Sequence, residues 1–92
     1  MKTIKINHGE KEPENYTGIV EYPSGMIEYY LNGKRHREDG PAVVWDDGTI
    51  KYFINDKEIT KEVKEWIIEN NIPEDCKDWN KSDKILFKLT FG

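Results

Sequence analysis

The residues best suited to chemistry are clustered in one short stretch, KRHREDGP, which follows an Asn-Gly pair. Arg35, His36 and Arg37 are basic or can become so, and aromatic side chains are close in the sequence at Tyr30 and Trp45. Guanidinium groups bind phosphate oxygens in a bidentate manner, and aromatic rings stack on nucleobases. These five residues therefore form a predicted site for a nucleotide-like anion, or for an acidic patch on a protein.

A purely structural interpretation of the same stretch stays open. Asn-Gly and Gly-Pro pairs are typical of turns, and the acids Glu38 and Asp39 are close enough to pair with Arg35 and Arg37. Exposed ion pairs of this kind contribute only about 0 to 1 kcal/mol to stability. On this interpretation the basic residues solvate a turn and bind nothing.

Catalysis is not expected. His36 and Asp39 resemble a base and its orienting acid, but no nucleophile lies near them in the sequence. Cys76 lies among acids in IPEDCKDW and lacks the positive surroundings of a reactive thiolate. No spacing resembles a set of metal ligands. We expect a protein that is not an enzyme and has no metal and no cofactor.

Composition narrows the class of protein. The 92 residues include 14 Lys and Arg against 18 Asp and Glu, giving a net charge of -4 with the two signs interspersed. Nucleic-acid binding requires a basic face, so we do not expect it. One cysteine and the absence of a long apolar run favour a cytoplasmic protein without a membrane span.

An internal repeat sets the expected architecture. Shifted by 23 residues, Val20 to Lys34 aligns with Val43 to Lys57 and keeps the Val, Gly, Ile, Tyr, Asn and Lys positions. Each copy has a tight turn, PSG or DDG, between two apolar strands. TIKIN and YTGIVEY resemble a worn earlier copy. The pattern predicts an antiparallel β-meander of two to three hairpin repeats over residues 1–58.

Residues 59–92 are expected to form a helical cap, which makes the fold class α+β with one compact domain. The stretch EITKEVKEWIIENNIP predicts a helix from about 60 to 71 with Thr60 as its N-cap. Residues 82–91 fit either a strand or a helix, and the helix is favoured because Asn80 or Ser82 suits its start.

The sheet is expected to carry apolar residues on both faces. Ile27, Tyr29 and Leu31 alternate onto one face, and Met26, Tyr30 and Phe53 belong to the other. A single helix and a short tail cover only one face. Met26, Tyr30 and Phe53 are therefore the expected interface for a partner or for a homo-oligomer.

The pattern NGKRHREDGPA…DG…NDK resembles the membrane occupation and recognition nexus repeats, whose units are also about 23 residues long. It is more similar to HREDGPA repeats of small proteins of tailed phages and bacteria. The resemblance covers Gly18 to Lys57 and implies hairpins followed by a helical tail. Because Arg37, Glu38 and Asp39 follow His36 where nexus repeats have Gly, lipid binding is not implied. The resemblance assigns no active site.

The resemblance and the basic stretch together lead to three functional hypotheses. The first is a non-catalytic phage-type protein that antagonises a process of its bacterial host, such as immune defence, by sequestering a nucleotide-like signal in the host cytoplasm. The second is an inhibitor that docks its exposed sheet face on a host defence enzyme. The third is a structural repeat module in a larger assembly.

Overall fold

The computed structural model describes residues 2–92 as a mixed α+β fold in which a sheet of mainly antiparallel strands precedes two helices. The strands are β1 (Thr3–Lys5), β2 (Gly18–Glu21), β3 (Ile27–Leu31), β4 (Lys34–Arg35), β5 (Val43–Val44), β6 (Ile50–Lys51), β7 (Phe53–Ile54) and β8 (Lys57–Glu58). The helices are α1 (Thr60–Glu69) and α2 (Lys81–Phe91), with a 3₁₀ turn at Cys76–Asp78 between them. The expected α+β class is confirmed. No helix within residues 2–92 is long and apolar enough to cross a membrane.

Six strands form the larger sheet in the order β1, β2, β3, β5 and β6, with β4 paired to the far end of β3. All pairings are antiparallel except the one at β1, which runs parallel to β2. TIKIN and YTGIVEY therefore do not form the expected hairpin. A parallel pair needs a crossover of about a dozen residues, and residues 6–17 supply one.

The two tight turns have matching geometry. In the first, the Tyr22 amide donates to the Met26 carbonyl at 2.9 Å, and Gly25 has φ of 92°. In the second, the Trp45 amide donates to the Thr49 carbonyl at 2.9 Å, and Gly48 has φ of 91°. A left-handed residue closes a three-residue hairpin loop, and glycine adopts that conformation at the lowest cost.

The core lies between the two helices and the end of the sheet. Its buried members are Tyr52, Ile59, Val63, Trp66, Trp79 and Phe87. Trp79 packs against Phe87 at 5.4 Å between ring centres, and its indole nitrogen donates to the Pro73 carbonyl at 2.7 Å. Aromatic pairs at such distances add stability beyond the area they bury. The aromatic cluster therefore fixes α2 against the rest of the chain.

The helix boundaries partly match the expectation. Ile59, not Thr60, is the N-cap residue of α1, because the Thr60 hydroxyl instead accepts a hydrogen bond from the Tyr52 amide at 3.0 Å. Residues 82–91 are helical as favoured. The Asn80 side chain caps α2 and forms a reciprocal capping box with Asp83.

The expectation that Met26, Tyr30 and Phe53 lie on an open sheet face is wrong. Tyr30 is only 5% exposed and Phe53 only 9%, and Met26 is half-buried against the small cluster that contains Phe53. The reason is that β4 folds back onto β3 and carries Arg35 over the Phe53 ring, at 5.5 Å from its centre. The chain thus covers this face with its own turn.

Candidate functional site

The KRHRED segment, called the joint below, is held in place by its backbone. The Arg35 amide donates to the Asp56 carboxylate at 2.8 Å, and the Arg37 amide donates to the Phe53 carbonyl at 3.2 Å. β4 at its start pairs with β3. These bonds tie the joint to β3 of the larger sheet and to the separate β7–β8 hairpin, so its side chains project from a fixed backbone.

Arg35 neutralises a buried acid. Its Nε lies 2.7 Å from Oε2 of Glu28, which is buried in the sheet, while the Tyr30 hydroxyl donates to Oε1 of the same carboxylate at 2.9 Å. Burial, together with this carboxylate, raises the pKa of Tyr30 to about 12. A buried charge without a counter-charge is strongly destabilising, so Arg35 is required by the fold.

Arg37 is also engaged within the chain. Its Nε lies 2.8 Å from the Asp39 carboxylate, and its Nη1 donates to the Pro41 carbonyl at 3.2 Å. The guanidinium group lies over the Tyr29 ring, 4.1 Å from its centre. Local pairing, as in the structural interpretation, therefore holds for Arg37 with Asp39, whereas Arg35 pairs with Glu28.

The structure brings Arg35, His36, Arg37 and Tyr30 to one end of β3, and Trp45 to the other. Trp45 follows Val44, which pairs with Ile27, whereas the joint pairs with the Leu31 end of the strand. Four residues of strand separate the two ends by about 13 Å. Trp45 is absent from the lining of the space beside the joint, whereas Tyr30 lines it but is only 5% exposed.

His36 is the residue of the joint whose side chain has a buried nitrogen without a hydrogen-bond partner. Its side chain is 9% exposed, and its Nδ1 accepts a hydrogen bond from the Asn55 amide at 3.0 Å. Because Nδ1 is an acceptor, the neutral ring carries its proton on Nε2. Nε2 is buried and has no hydrogen-bond partner, since the nearest carboxylate, Glu38, is 3.7 Å away. An N–H donor without an acceptor is thus present in the joint.

A cleft of about 410 Å³ separates the joint from α2, and His36 lines it. On the helix side it is lined by Lys81, Lys84 and Lys88, whose spacing of three and four residues aligns them on one face of α2. The apolar side chains of Leu31 and Ile85 complete this part of the wall. We call this space the α2 cleft.

The α2 cleft is positive in a chain that is negative overall. Its lining includes three lysines and Arg37 against the two acids Glu38 and Asp39, while the whole chain has a net charge of -4. A group of cations around an N–H donor attracts an oxyanion, and an apolar wall accepts an uncharged part of the same ligand. Within residues 2–92 no cluster of His, Cys, Asp and Glu side chains could hold a metal ion.

The lysines of α2 were missed by sequence reasoning. The sequence feature that could have revealed them is their spacing. Lys81, Lys84 and Lys88 lie on one face only if residues 81–91 are helical. In the strand alternative Lys84 and Lys88 share a face and Lys81 lies on the other. Even with the helix, nothing local indicates that this face packs beside the joint, because about 50 residues separate the two segments.

No protein-family model matches the chain, and no curated protein or solved structure is similar to it at a significant level.

Proposed function

We propose that the chain is a non-catalytic binding protein that holds a nucleotide-like anion in the α2 cleft. The observation that carries the proposal is the buried Nε2–H of His36, which has no acceptor and lines the same cleft as Lys84 and Lys88. A buried donor without a partner is destabilising by about 1 to 3 kcal/mol, and a phosphate oxygen would satisfy it. The ammonium groups would balance the phosphate charge.

The apolar wall completes the choice of ligand. Ile85 is 51% exposed, and Leu31 is the other exposed apolar side chain of the cleft. A nucleobase packed over them would remove this apolar surface from water. Arg35 and Arg37 pair with Glu28 and Asp39 of the chain itself. In this proposal they therefore hold the joint in position and do not bind the ligand.

The biological part of the proposal is a phage-type protein that binds a host signal stoichiometrically and so antagonises a host process such as defence. The fold that we propose for this protein is a β-meander built from the period-23 repeat. The repeat, and only the repeat, is supported by equivalent backbone hydrogen bonds 23 residues apart: the His36 amide donates to the Tyr29 carbonyl at 3.0 Å, and the Ile59 amide donates to the Tyr52 carbonyl at 2.8 Å. A protein that sequesters a signal needs affinity and no catalytic group.

A second candidate function is docking on a host protein. At the rim of the cleft α2 exposes Ile85 and, one turn further on, Leu89, the latter 79% exposed, and exposed apolar patches mark contact sites. This face replaces the sheet face that the sequence predicts, and the lysines beside it favour an acidic partner. A homo-oligomer is less compatible with this face, because two copies of α2 would bring like charges together.

The test of the proposed function is titration calorimetry with adenosine 5′-monophosphate at low salt. We expect one ligand per chain, and Lys88→Gln should weaken binding about tenfold, which is the loss of about one charge-assisted contact. Lys64→Gln on α1 is the matched control, since it makes the same charge change on another exposed helix face. An absence of binding, or equal weakening by both variants, would contradict the proposal.

A further inference from the structure

The lysines of α2 extend along the whole cleft. Residues of an α-helix rise 1.5 Å each, so Lys81 and Lys88 are about 10 Å apart along the helix axis. All three lysines, with Lys84 between them, line the cleft. One phosphate group contacts one or two ammonium groups at a time and does not reach both ends of such a row. The length of the row therefore fits a ligand with more than one anionic group.

At the Lys88 end of the row, called the inner end here, the carboxylate of Glu38 occupies the position where a ligand anion would bind. The Glu38 carboxylate lies 3.7 Å from Nε2 of His36 and 4.0 Å from Nζ of Lys88. Both distances are longer than a hydrogen bond, so Glu38 satisfies neither donor, and the buried Nε2 of His36 has no other partner. The Glu38 side chain is partly exposed and can turn outward into solvent. His36 and Lys88 therefore form an inner subsite that Glu38 fills incompletely.

At the outer end the cations have no counter-charge. Among residues 2–92, no carboxylate oxygen lies within 4.0 Å of Nζ of Lys81 or Lys84. Both belong to the first turn of α2, where the helix dipole adds positive potential. Lys81 and Lys84 therefore form an outer subsite, displaced along the helix from the inner one.

We infer that the α2 cleft takes a ligand with two separate phosphate groups joined by an apolar or ring-containing part. One phosphate binds the inner subsite, where it displaces Glu38 and accepts from His36 Nε2. The other binds the outer subsite, and the connecting part lies over Leu31 and Ile85. This inference rests on the proposed function and specifies its ligand class.

Titration calorimetry with two probes tests the inference: adenosine 5′-monophosphate and adenosine 3′,5′-bisphosphate. In the unmodified chain the bisphosphate should bind at least about tenfold more tightly. The double variant Lys81→Gln, Lys84→Gln should remove this advantage and should weaken the monophosphate by much less than the bisphosphate. Lys88→Gln should weaken both ligands.

The possible results distinguish failure of the two-phosphate ligand from failure of the proposed function. If the monophosphate binds and the bisphosphate gains nothing, the two-phosphate ligand is wrong and the proposed function stands. If the outer double variant weakens both probes equally, the separate subsites are wrong. If neither probe binds, the proposed function fails, and this inference fails with it.

A second variant tests the inner subsite alone. Glu38→Gln removes the internal anion and should strengthen binding of both probes by about three- to tenfold, because the ligand no longer displaces a carboxylate. Glu65→Gln on α1 removes the same charge at a distance and should change affinity less than about twofold. Weaker binding by Glu38→Gln would mean that Glu38 contacts the ligand directly, and would overturn this placement of the inner phosphate.

Discussion

Two tyrosine hydroxyl groups in the buried part of the chain differ in one respect. The Tyr30 hydroxyl donates to Glu28 at 2.9 Å, whereas the hydroxyl of Tyr52, which is almost fully buried, has no hydrogen-bond partner. An unpaired polar atom in a core lowers stability, and a paired one leaves its partner unsatisfied when it is removed. The same chemical change should therefore have opposite effects at the two positions.

We expect Tyr52→Phe to leave the free energy of unfolding unchanged or to raise it by about 1 kcal/mol, and Tyr30→Phe to lower it by about 1 to 3 kcal/mol. Urea unfolding at pH 7, followed by tryptophan fluorescence, measures both. Each variant is the control for the other, because both remove one hydroxyl from a buried tyrosine. Equal destabilisation by both would show that the Tyr52 hydroxyl has a partner.

The same two tyrosines, together with Tyr22, whose pKa burial also raises, lower stability at alkaline pH. Burial raises the pKa of Tyr30 and of Tyr52 to about 12 from an ordinary value of 10.0. Below pH 10 the phenols are neutral in both the folded and the unfolded chain, and above it only the unfolded chain ionises. Stability is therefore expected to be constant up to about pH 10 and to fall as the pH rises towards 12. Unfolding free energies measured from pH 8 to 12 check this, and Tyr52→Phe should reduce the slope.

For individual residues, the sequence indicates which side chains belong to the site better than it indicates which side chains pair with one another. His36 belongs to the predicted set and lies in the cleft, and local pairing of Arg37 with Asp39 was one of the two interpretations. The partner of Arg35 was not predictable, since Glu28 alternates onto the buried face of β3 in a stretch of aromatic residues. A buried acid is recognised only when the guanidinium that neutralises it is known to fold over it.

Among the elements, α2 matters most for the site because it carries three of the cations. Its start is fixed by the capping box, in which the Asp83 amide donates to Asn80 at 2.8 Å and the Asn80 amide donates to Asp83 at 3.0 Å. The box satisfies two backbone donors that a helix otherwise leaves free. The first turn, with Lys81 and Lys84, depends on it directly.

Asn80→Ala should lower the free energy of unfolding by about 0.5 to 2 kcal/mol, as loss of an N-cap does. Ser82→Ala, an exposed change within the same turn, is the control and should have an effect within about 0.5 kcal/mol. Thermal unfolding followed by circular dichroism distinguishes the two. If Ser82→Ala were the more damaging variant, the helix would start at a different residue.

Secondary-structure elements that are marked by a local sequence pattern were predictable, and elements that depend on contacts with distant residues were not. The glycines of the two turns and the Asn-Lys-Ser-Asp start of α2 are local, so the hairpins follow from the sequence and the second helix is favoured over a strand. The parallel pairing of β1 with β2 depends on a crossover with no periodicity of its own. Thr60 is a suitable cap by type, but a neighbouring strand amide takes its hydroxyl, which no local pattern indicates.

For the molecule as a whole, the positive cleft arises only when the chain folds. Charges of both signs are interspersed along the sequence, which is why no basic surface beyond the joint was expected. Docking of α2 beside the joint collects Lys81, Lys84 and Lys88 on one side of the α2 cleft while most acids lie elsewhere. The aromatic core that positions α2, formed by Trp66, Trp79 and Phe87, is thus also what creates the site.

The most direct test of the α2 cleft as an anion site is nitrogen-15 NMR of the His36 ring and of the backbone amides during titration with adenosine 5′-monophosphate. Before ligand is added, the proton should be on Nε2, because Nδ1 accepts from the Asn55 amide. Addition of ligand should shift Nε2 of His36 and the amides of residues 36–38 and 84–88, and leave the Trp45 hairpin unchanged. A proton on Nδ1, or shifts confined to residues outside the cleft, would contradict the site.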